Sequence, residues 1–141
     1  MVYSLEHIPE IVNIILAKEK NVRFFLLHGD LGSGKTTLLR YVFEEMGIKE
    51  PVTSPTFTYV NIYYSPLLEK KIYHFDLYRL ITLDEFYALA LDESFEDQNT
   101  LIFIEWPELI SPVIQKSFNF CEIFLYHTKE ENTREVIIKQ K

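Results

Sequence analysis

Residues 29–36 read GDLGSGKT, which meets the pattern Gly-x4-Gly-Lys-[Ser/Thr] in full. Glycines at positions 29, 32 and 34 let the backbone turn tightly, so that successive N–H groups point inward at phosphate oxygens. In this pattern Lys35 bridges the outermost phosphates of a nucleotide, and the hydroxyl of Thr36 ligates Mg2+. The alternative is a glycine-rich turn that carries a solvated lysine. The residues on either side of the loop decide between these two interpretations.

The loop stands between an apolar segment and an amphipathic one. Residues 24–27 are four consecutive apolar residues, a run typical of a strand buried on both faces of a parallel sheet. After the loop, apolar residues recur on one helical face, and Gly47 is placed to end that helix. These apolar residues are Leu39, Val42, Phe43 and Met46. A helix that begins near Gly34 would add its positive N-terminal end to the cradle. This context favours a phosphate-binding loop over a plain turn.

The rest of the chain alternates between helical and strand patterns. An amphipathic helix opens the chain over residues 8–16, with Pro9 in its first turn. Later patterns predict a hairpin of strands at 58–64 and 71–75, a helix at 83–91, a strand at 101–104, and two strands near 120–126 and 134–139. We therefore predict a single α/β domain over residues 1–141. Its fold would be a three-layer P-loop NTPase fold, with a central mostly parallel sheet and antiparallel additions.

Composition narrows the classes of function. The chain has 141 residues, of which 48% are apolar, and a formal net charge of -7. Nucleic-acid affinity comes from clustered Lys and Arg, so a basic partner would have to hold any nucleic acid. No apolar run approaches the roughly 20 residues of a membrane-spanning helix, and the first residues lack a secretory signal. The single cysteine, Cys121, lies in an apolar stretch that predicts a buried strand position. We expect a soluble cytoplasmic protein.

A nucleotide-hydrolysing loop of this kind also needs an acidic group opposite the cradle, which holds Mg2+ directly or through water or orients the attacking water. Glu105 directly follows the apolar strand at residues 101–104, although a surface glutamate at a strand end is the alternative. Asp76 is the rival, because it follows a strand at residues 72–75. Asp76 could coordinate metal or position water, or it could be one half of a salt bridge with Arg79. Periodicity and spacing alone do not separate these possibilities.

Residues 53–56, Thr-Ser-Pro-Thr, lie between the loop helix and the predicted hairpin. In P-loop NTPases this region often senses the γ-phosphate, and its hydroxyls could contact phosphate or metal. The alternative is a rigid surface turn, since the prolines limit the segment to few conformations. The residues favour neither interpretation.

Four blocks of the sequence together resemble the signature motifs of the TsaE (YjeE) family. They are GDLGSGKTT at residues 29–37, TSPTF at 53–57, HFDLYR at 74–79 and IEWPE at 104–108. The blocks occur in order with fitting spacing, and with their flanking elements they cover nearly the whole chain. Four blocks together are far more specific than the first pattern alone.

The resemblance implies a bacterial ATPase, with ATP and Mg2+ as its ligands, that serves tRNA modification. The family supports formation of N6-threonylcarbamoyladenosine next to the anticodon, in tRNAs that read codons beginning with A. The resemblance also implies two partners, a TsaB-like and a TsaD-like protein, of which the TsaD-like protein transfers the threonylcarbamoyl group. ATP hydrolysis by the TsaE-like subunit would support turnover and would be slow without the partners. The subunit would meet tRNA only indirectly, through the complex.

The same resemblance assigns site residues. The ATP phosphates would be bound by Gly32, Ser33, Gly34, Lys35, Thr36 and Thr37. Thr36 and Glu105 would be magnesium ligands, and Asp76 would position the attacking water or the metal shell. With Lys35, the two carboxylates are the candidate catalytic residues.

Three further features match the family less specifically. Residues 53–56 would form a switch-like loop. Trp106 would sit beside the site in a structural or partner-contact role. Arg134 resembles the family's late arginine near the nucleotide, and a surface arginine on the last strand is the alternative.

Two other functions fit a P-loop protein. A small-molecule kinase of this fold would transfer the γ-phosphate to a bound hydroxyl and usually needs several arginines in a lid. No arginine-rich segment occurs in this sequence, and Lys70-Lys71 is its only adjacent basic pair. A non-hydrolysing nucleotide-binding adaptor would instead bind ATP to stabilise a complex without turning it over.

Overall fold

The computed structural model describes residues 1–55 and 57–140. Its strands are β1 (Val2–Tyr3), β2 (Phe24–His28), β3 (Val60–Ser65), β4 (Lys70–Asp76), β5 (Thr100–Glu105), β6 (Phe120–His127) and β7 (Arg134–Gln140). Its helices are α1 (Ile8–Leu16), α2 (Lys35–Glu45), α3 (Leu83–Ala88) and α4 (Ser111–Ser117), with short 3-10 helices at Leu5–His7, Leu91–Glu96 and Pro107–Leu109. None of the helices in the described part of the chain has the length and apolar composition to cross a membrane.

The strands form one sheet in the order β1-β7-β6-β2-β5-β4-β3. The inner strands β6, β2, β5 and β4 run parallel to one another. The outer strands β1, β7 and β3 pair antiparallel with their neighbours. The sheet therefore confirms the prediction of a parallel centre with antiparallel additions.

Helices cover both faces of the sheet because its central strands are apolar on both sides. Successive side chains of a strand point to opposite faces. Phe25 and Leu27 of β2 belong to an apolar cluster that includes buried residues of α1 and α2. Phe24 and Leu26 belong to a second cluster, which includes buried residues of α3 and α4. This arrangement gives the three layers that the unbroken apolar run at residues 24–27 predicts.

Two predicted details need correction. The helix predicted at residues 83–91 is shorter: α3 begins after Thr82, whose side chain accepts a hydrogen bond from the Glu85 N–H, and it ends at Ala88. Ala90 has a φ of 56°, a left-handed conformation that stops the helix before the 3-10 helix at Leu91–Glu96. Strand β1 and helix α4 are additional elements that the sequence patterns did not indicate. Gly47, with a φ of 83°, does follow α2 as predicted.

Phe43 of α2, the helix that follows the glycine-rich loop, contacts aromatic residues of three strands. It is fully buried, and its ring centroid lies 5.6 Å from Tyr63, 5.8 Å from His74 and 5.1 Å from Phe103. We expect Phe43→Ala to lower the free energy of unfolding by about 3–5 kcal/mol, since it leaves a cavity among these rings. Urea unfolding measures the change. Tyr41→Ala on the exposed side of α2 is the control, and a loss for Phe43→Ala no larger than for that control would contradict the expectation.

Cys121 lies in β6 and is fully buried, as its apolar setting predicts. Burial raises the pKa of the Cys121 thiol to about 11. The thiol therefore stays protonated at pH 8 in the folded chain, and we expect it to react with a disulfide reagent such as DTNB only after unfolding. The colour that the reagent releases, with and without urea, measures this. Fast reaction in the absence of urea would show that the thiol is accessible.

Strand register brings the candidate acids to one edge of the sheet. Glu105, the last residue of β5, pairs with Leu27 of β2 and with Asp76, the last residue of β4. His28 ends β2 one residue before the glycine-rich loop. Because these three strands are parallel, their C-terminal ends meet the loop at the same edge, where α/β sheets bind ligands.

Candidate functional site

The glycine-rich loop connects β2 to α2, as its flanking patterns predict. Gly34 precedes the first residue of α2, Lys35, and has a φ of 103°, a conformation that side chains disfavour. At Gly29 a Cβ atom would lie 2.8 Å from the carbonyl oxygen of Leu125 on β6. The tight turn is thus possible because Gly34 can adopt a positive φ and because Gly29 has no side chain where β6 comes close. The first turn of a helix has N–H groups without intrahelical acceptors, and in α2 that turn directly follows the loop, as in an anion site.

The loop and the candidate acids line one cavity of about 240 Å3. From the loop and the start of α2 come residues 31–37, and opposite them stand Ser54, Asp76, Glu105 and Trp106. The structure thus brings together the six predicted phosphate-binding residues and both candidate carboxylates. A larger cavity, of about 780 Å3 and lined by Arg23 and Lys116 among others, contains none of these residues.

Lys35 is bound to its own loop. Its side chain is 5% exposed. The ammonium group donates to the carbonyl oxygens of Gly29 and of Asp30, the latter at 3.1 Å, and it lies 3.9 Å from the ring centroid of Trp106. Burial lowers the pKa of Lys35, while nearby Glu105 and other acids oppose the shift. A phosphate group that reaches the cradle would therefore exchange with these internal partners of the cation.

Glu105 is almost fully buried, with 3% of its surface exposed, and its carboxylate has two hydrogen-bonding neighbours in the described part of the chain. The Thr36 hydroxyl lies 2.8 Å from Oε1 and 2.9 Å from Oε2. The Nε2 atom of His74 lies 2.5 Å from Oε2. The Thr36 oxygen keeps its lone pairs while its proton is donated to Glu105. A hard cation prefers such hydroxyl and carboxylate oxygens, so this pair is suited to hold Mg2+ directly or through water.

Asp76 is tied to the chain by two hydrogen bonds. Its Oδ2 atom accepts from the Ser54 hydroxyl at 2.5 Å, and its Oδ1 atom accepts from the Tyr78 N–H at 3.0 Å. The salt bridge with Arg79 that the sequence left open is absent from the described part of the chain. The Arg79 guanidinium lies instead over the ring of Phe57, 4.6 Å from its centroid. The Asp76 carboxylate is therefore fixed inside the cavity without a neutralising partner at Arg79.

The segment before the hairpin is connected to the site rather than separate from it. Ser54 contacts Asp76 as described above, and the Arg40 side chain of α2 donates to the carbonyl oxygen of Val52 at 3.0 Å. Asn61 of β3 donates to the carbonyl oxygen of Thr53 at 3.2 Å. Thr56, which belongs to the predicted switch-like loop, lies outside the described residues.

Arg134 also reaches the phosphate loop. Its guanidinium donates to the carbonyl oxygen of Gly32 at 3.3 Å, and to those of Glu131 and Thr133 at 3.1 and 2.8 Å. Another cavity, of about 250 Å3 and called the second cavity below, is lined in part by Arg134 and shares Gly32, Gly34 and Thr37 with the cavity that contains Glu105 and Asp76. The remaining lining includes Tyr3 and Leu5 from the start of the chain.

Two residues at or next to the site were given no function from the sequence, although His74 is the first residue of the block at residues 74–79. Tyr3 lies in the two-residue strand β1, which is too short to show a periodic pattern. His74 stands two residues before Asp76, and its alternation with Phe75 along β4 was the available sign that it shares a face with Asp76. Trp106 lines the cavity, as expected, and its φ of 55° sets it in a left-handed conformation directly after β5.

Fold and loop together define a class: the chain has a P-loop NTPase fold, with the phosphate-binding loop between the first inner strand and its helix. A family model described as "Threonylcarbamoyl adenosine biosynthesis protein TsaE" matches residues 2–136. The chain therefore belongs to the TsaE family, whose members are involved in tRNA threonylcarbamoyladenosine biosynthesis.

Similar proteins support this membership. The chain is 38% identical over 102 residues to the tRNA threonylcarbamoyladenosine biosynthesis protein TsaE of Borreliella burgdorferi, which covers 72% of each chain. It is 39% identical over 90 residues to the protein of the same name from Rickettsia prowazekii, covering 63% of this chain but only 60% of that protein. The crystal structure of Bacillus subtilis YdiB matches with a TM-score of 0.64 and 25% identity, covering 96% of this chain and 82% of that one.

Proposed function

We propose that the chain, as a single domain over residues 1–141, is a cytoplasmic Mg2+-dependent ATPase. It binds TsaB-like and TsaD-like partners and supports turnover in the formation of N6-threonylcarbamoyladenosine in tRNA. The observation that carries the proposal is the pairing of Thr36 with Glu105 in the cavity of the phosphate loop. A hydroxyl at the end of the loop and a buried acid on the next strand are the groups that Mg2+-dependent hydrolysis needs.

The loop binds the phosphates of ATP in this proposal. Backbone N–H groups of residues 32–37 and the ammonium group of Lys35 supply the positive potential. Ser33 is suited to the same role, because the residue lines the cavity and its buried hydroxyl has no hydrogen-bond partner in the described part of the chain. Thr36 and Glu105 would hold Mg2+, which neutralises charge on the phosphates when it is bound.

Asp76 positions the water that attacks the γ-phosphate. A carboxylate offers about four acceptor sites, and Ser54 and Tyr78 occupy two of them. The remaining lone pairs lie in the same cavity as Lys35 and Glu105 and can accept from a water molecule. The link between Ser54 and Asp76 also gives the preceding loop a way to respond to the nucleotide.

The nucleoside end of ATP extends into the second cavity. The two cavities share three lining residues of the loop and helix, so one extended ligand can reach both. Tyr3 and Leu5 offer apolar surface to a base, and Arg134 supplies a positive charge beside the loop. The preference for adenine follows from family membership.

The partners carry out the chemistry on tRNA. With a net charge of -7, the chain is a poor match for the nucleic-acid backbone, and tRNA is met only through the complex. The transfer of the threonylcarbamoyl group belongs to the TsaD-like partner.

Reconstitution tests the proposal. The TsaB-like and TsaD-like proteins, tRNA and threonylcarbamoyl-adenylate are combined with and without this chain, and modified nucleoside and free phosphate are measured together. We expect repeated turnover only with the chain and MgATP, accompanied by phosphate release. Turnover that continues without phosphate release would favour the adaptor, and a phosphorylated small molecule in place of free phosphate would favour the kinase.

A further inference from the structure

We propose that His74 is a positioning residue that fixes the Glu105 carboxylate for Mg2+. The inference rests on the proposed function, because it concerns how the Mg2+ site is held in place. His74 is not among the described residues that line the cavity, and it contacts the site through Glu105, which does line it.

The position of His74 follows from strand register. On β4, His74 pairs with Phe103 of β5, and Asp76 pairs with Glu105. Residues two apart on a strand share a face, so all four side chains stand on the same side of the sheet. His74 is thus the diagonal neighbour of Glu105, one step further from the cavity.

Packing fixes the orientation of the His74 ring. The side chain is completely buried, and its ring meets the ring of Phe43 edge-on, with 5.8 Å between centroids and an angle of 77° between planes. Phe43 belongs to α2, the helix that also carries Lys35 and Thr36. The ring therefore has a fixed place relative to the phosphate loop.

The hydrogen bond also fixes which ring nitrogen carries a proton. Nε2 of His74 lies 2.5 Å from Oε2 of Glu105, and an ionised carboxylate can only accept a hydrogen bond. Nδ1 is buried and has no hydrogen-bond partner within the residues that the structure describes. We therefore assign the proton to Nε2, whose N–H donates to Glu105.

The hydrogen bond from His74 is important because Thr36, the other hydrogen-bonding neighbour of Glu105, must also coordinate the cation. Thr36 donates to both carboxylate oxygens, yet its hydroxyl must also offer its lone pairs to the cation. His74 does not have to coordinate the cation. Its N–H can therefore hold Oε2 in place, while Oε1, on the side of Thr36, remains available to the cation. Side chains that orient a metal ligand in this way contribute about 10- to 100-fold in metal affinity or activity.

Two variants that both carry a side-chain amide but differ in its reach test the inference. In His74→Gln the amide nitrogen stands near the position of Nε2 and can still donate to Glu105, whereas in His74→Asn it stands near Nδ1 and falls short. Phe103→Leu is the control for packing, since it removes a ring that also contacts Phe43 without touching the hydrogen bond. Calorimetry measures ATP binding without metal and the Mg2+ concentration that gives half of the full Mg2+ effect on binding.

We expect all variants to bind metal-free ATP as the unmodified chain does. His74→Asn should need about 10-fold more Mg2+, while His74→Gln and Phe103→Leu should stay close to the unmodified chain. Equal Mg2+ requirements for the Asn and Gln variants, or an equal loss in Phe103→Leu, would overturn the positioning role alone. If ATP binding to the unmodified chain does not respond to Mg2+ at all, the proposed function fails as well.

Discussion

Lys35→Ala is expected to lower ATP hydrolysis in the presence of the partners by about 10²- to 10³-fold, the typical loss when one fixed donor to a developing charge is removed. Among the described residues that line the cavity at the glycine-rich loop, Lys35 is the only Lys or Arg. Its ammonium is held within a buried, low-dielectric setting, where charge stabilisation of the phosphates is strongest. Release of phosphate from MgATP, measured over time, gives the rate.

The control for this prediction is Lys116→Ala. Lys116 lies on α4 and lines the larger cavity away from the loop, so the same charge is removed without effect on the site. We expect its rate to equal that of the unmodified chain. If the unmodified chain and Lys35→Ala release phosphate equally slowly with the partners present, the ATPase proposal is wrong and the adaptor is favoured.

The second large effect separates the two acids. Asp76→Asn should retain MgATP binding and lower turnover by about 10²- to 10⁴-fold, because an amide offers one acceptor oxygen instead of two and no negative charge to hold the attacking water. Glu105→Gln should instead weaken MgATP binding by about 10-fold or more while metal-free ATP still binds, because one oxygen of the metal-holding carboxylate is lost. Both substitutions keep the size of the side chain, so packing is conserved. Calorimetry measures the affinity for MgATP, and the release of phosphate over time measures the turnover rate.

The hydrogen bonds at each acid sharpen this comparison. Glu105 is surrounded by Thr36 and His74, whereas Asp76 is bonded to Ser54 and the Tyr78 N–H. The neighbours of Glu105 favour a role in holding the metal next to the Thr36 hydroxyl. The neighbours of Asp76 favour a carboxylate that is held in place by the segment containing Ser54. Should Asp76→Asn weaken MgATP binding while Glu105→Gln affects only turnover, the two roles are reversed.

Much of the fold is predictable because its decisive segments are local. The apolar runs within β2 and β5, at residues 24–27 and 101–104, contain no polar residue that would face solvent. They therefore predict central strands from the local sequence alone. Strand β1 is different: its two residues are held by pairing with Glu135 and Arg134 of β7, a contact across the whole chain. Nothing in the local pattern of two residues can indicate such a partner.

The site was predictable as a set of residues but not as a set of contacts. The motifs name Thr36 and Glu105, yet their hydrogen bond spans 69 positions and depends on the order of the parallel strands. The contact between His74 and Glu105 likewise depends on the pairing of β4 with β5, whereas the bonds of Lys35 to Gly29 and Asp30 depend on the conformation of the loop itself. Residue type predicts which chemistry is possible, whereas tertiary structure decides which partners each group has.

The internal bonds of Lys35 have a consequence for selectivity among anions. Two carbonyl oxygens and the Trp106 ring already contact the ammonium group, so an incoming anion competes with them for the cation. A single inorganic phosphate offers few contacts in return, whereas a triphosphate also engages the N–H groups along the loop. In the proposed function, small anions would therefore compete poorly for the loop, which would respond to the length of a phosphate chain rather than to negative charge alone.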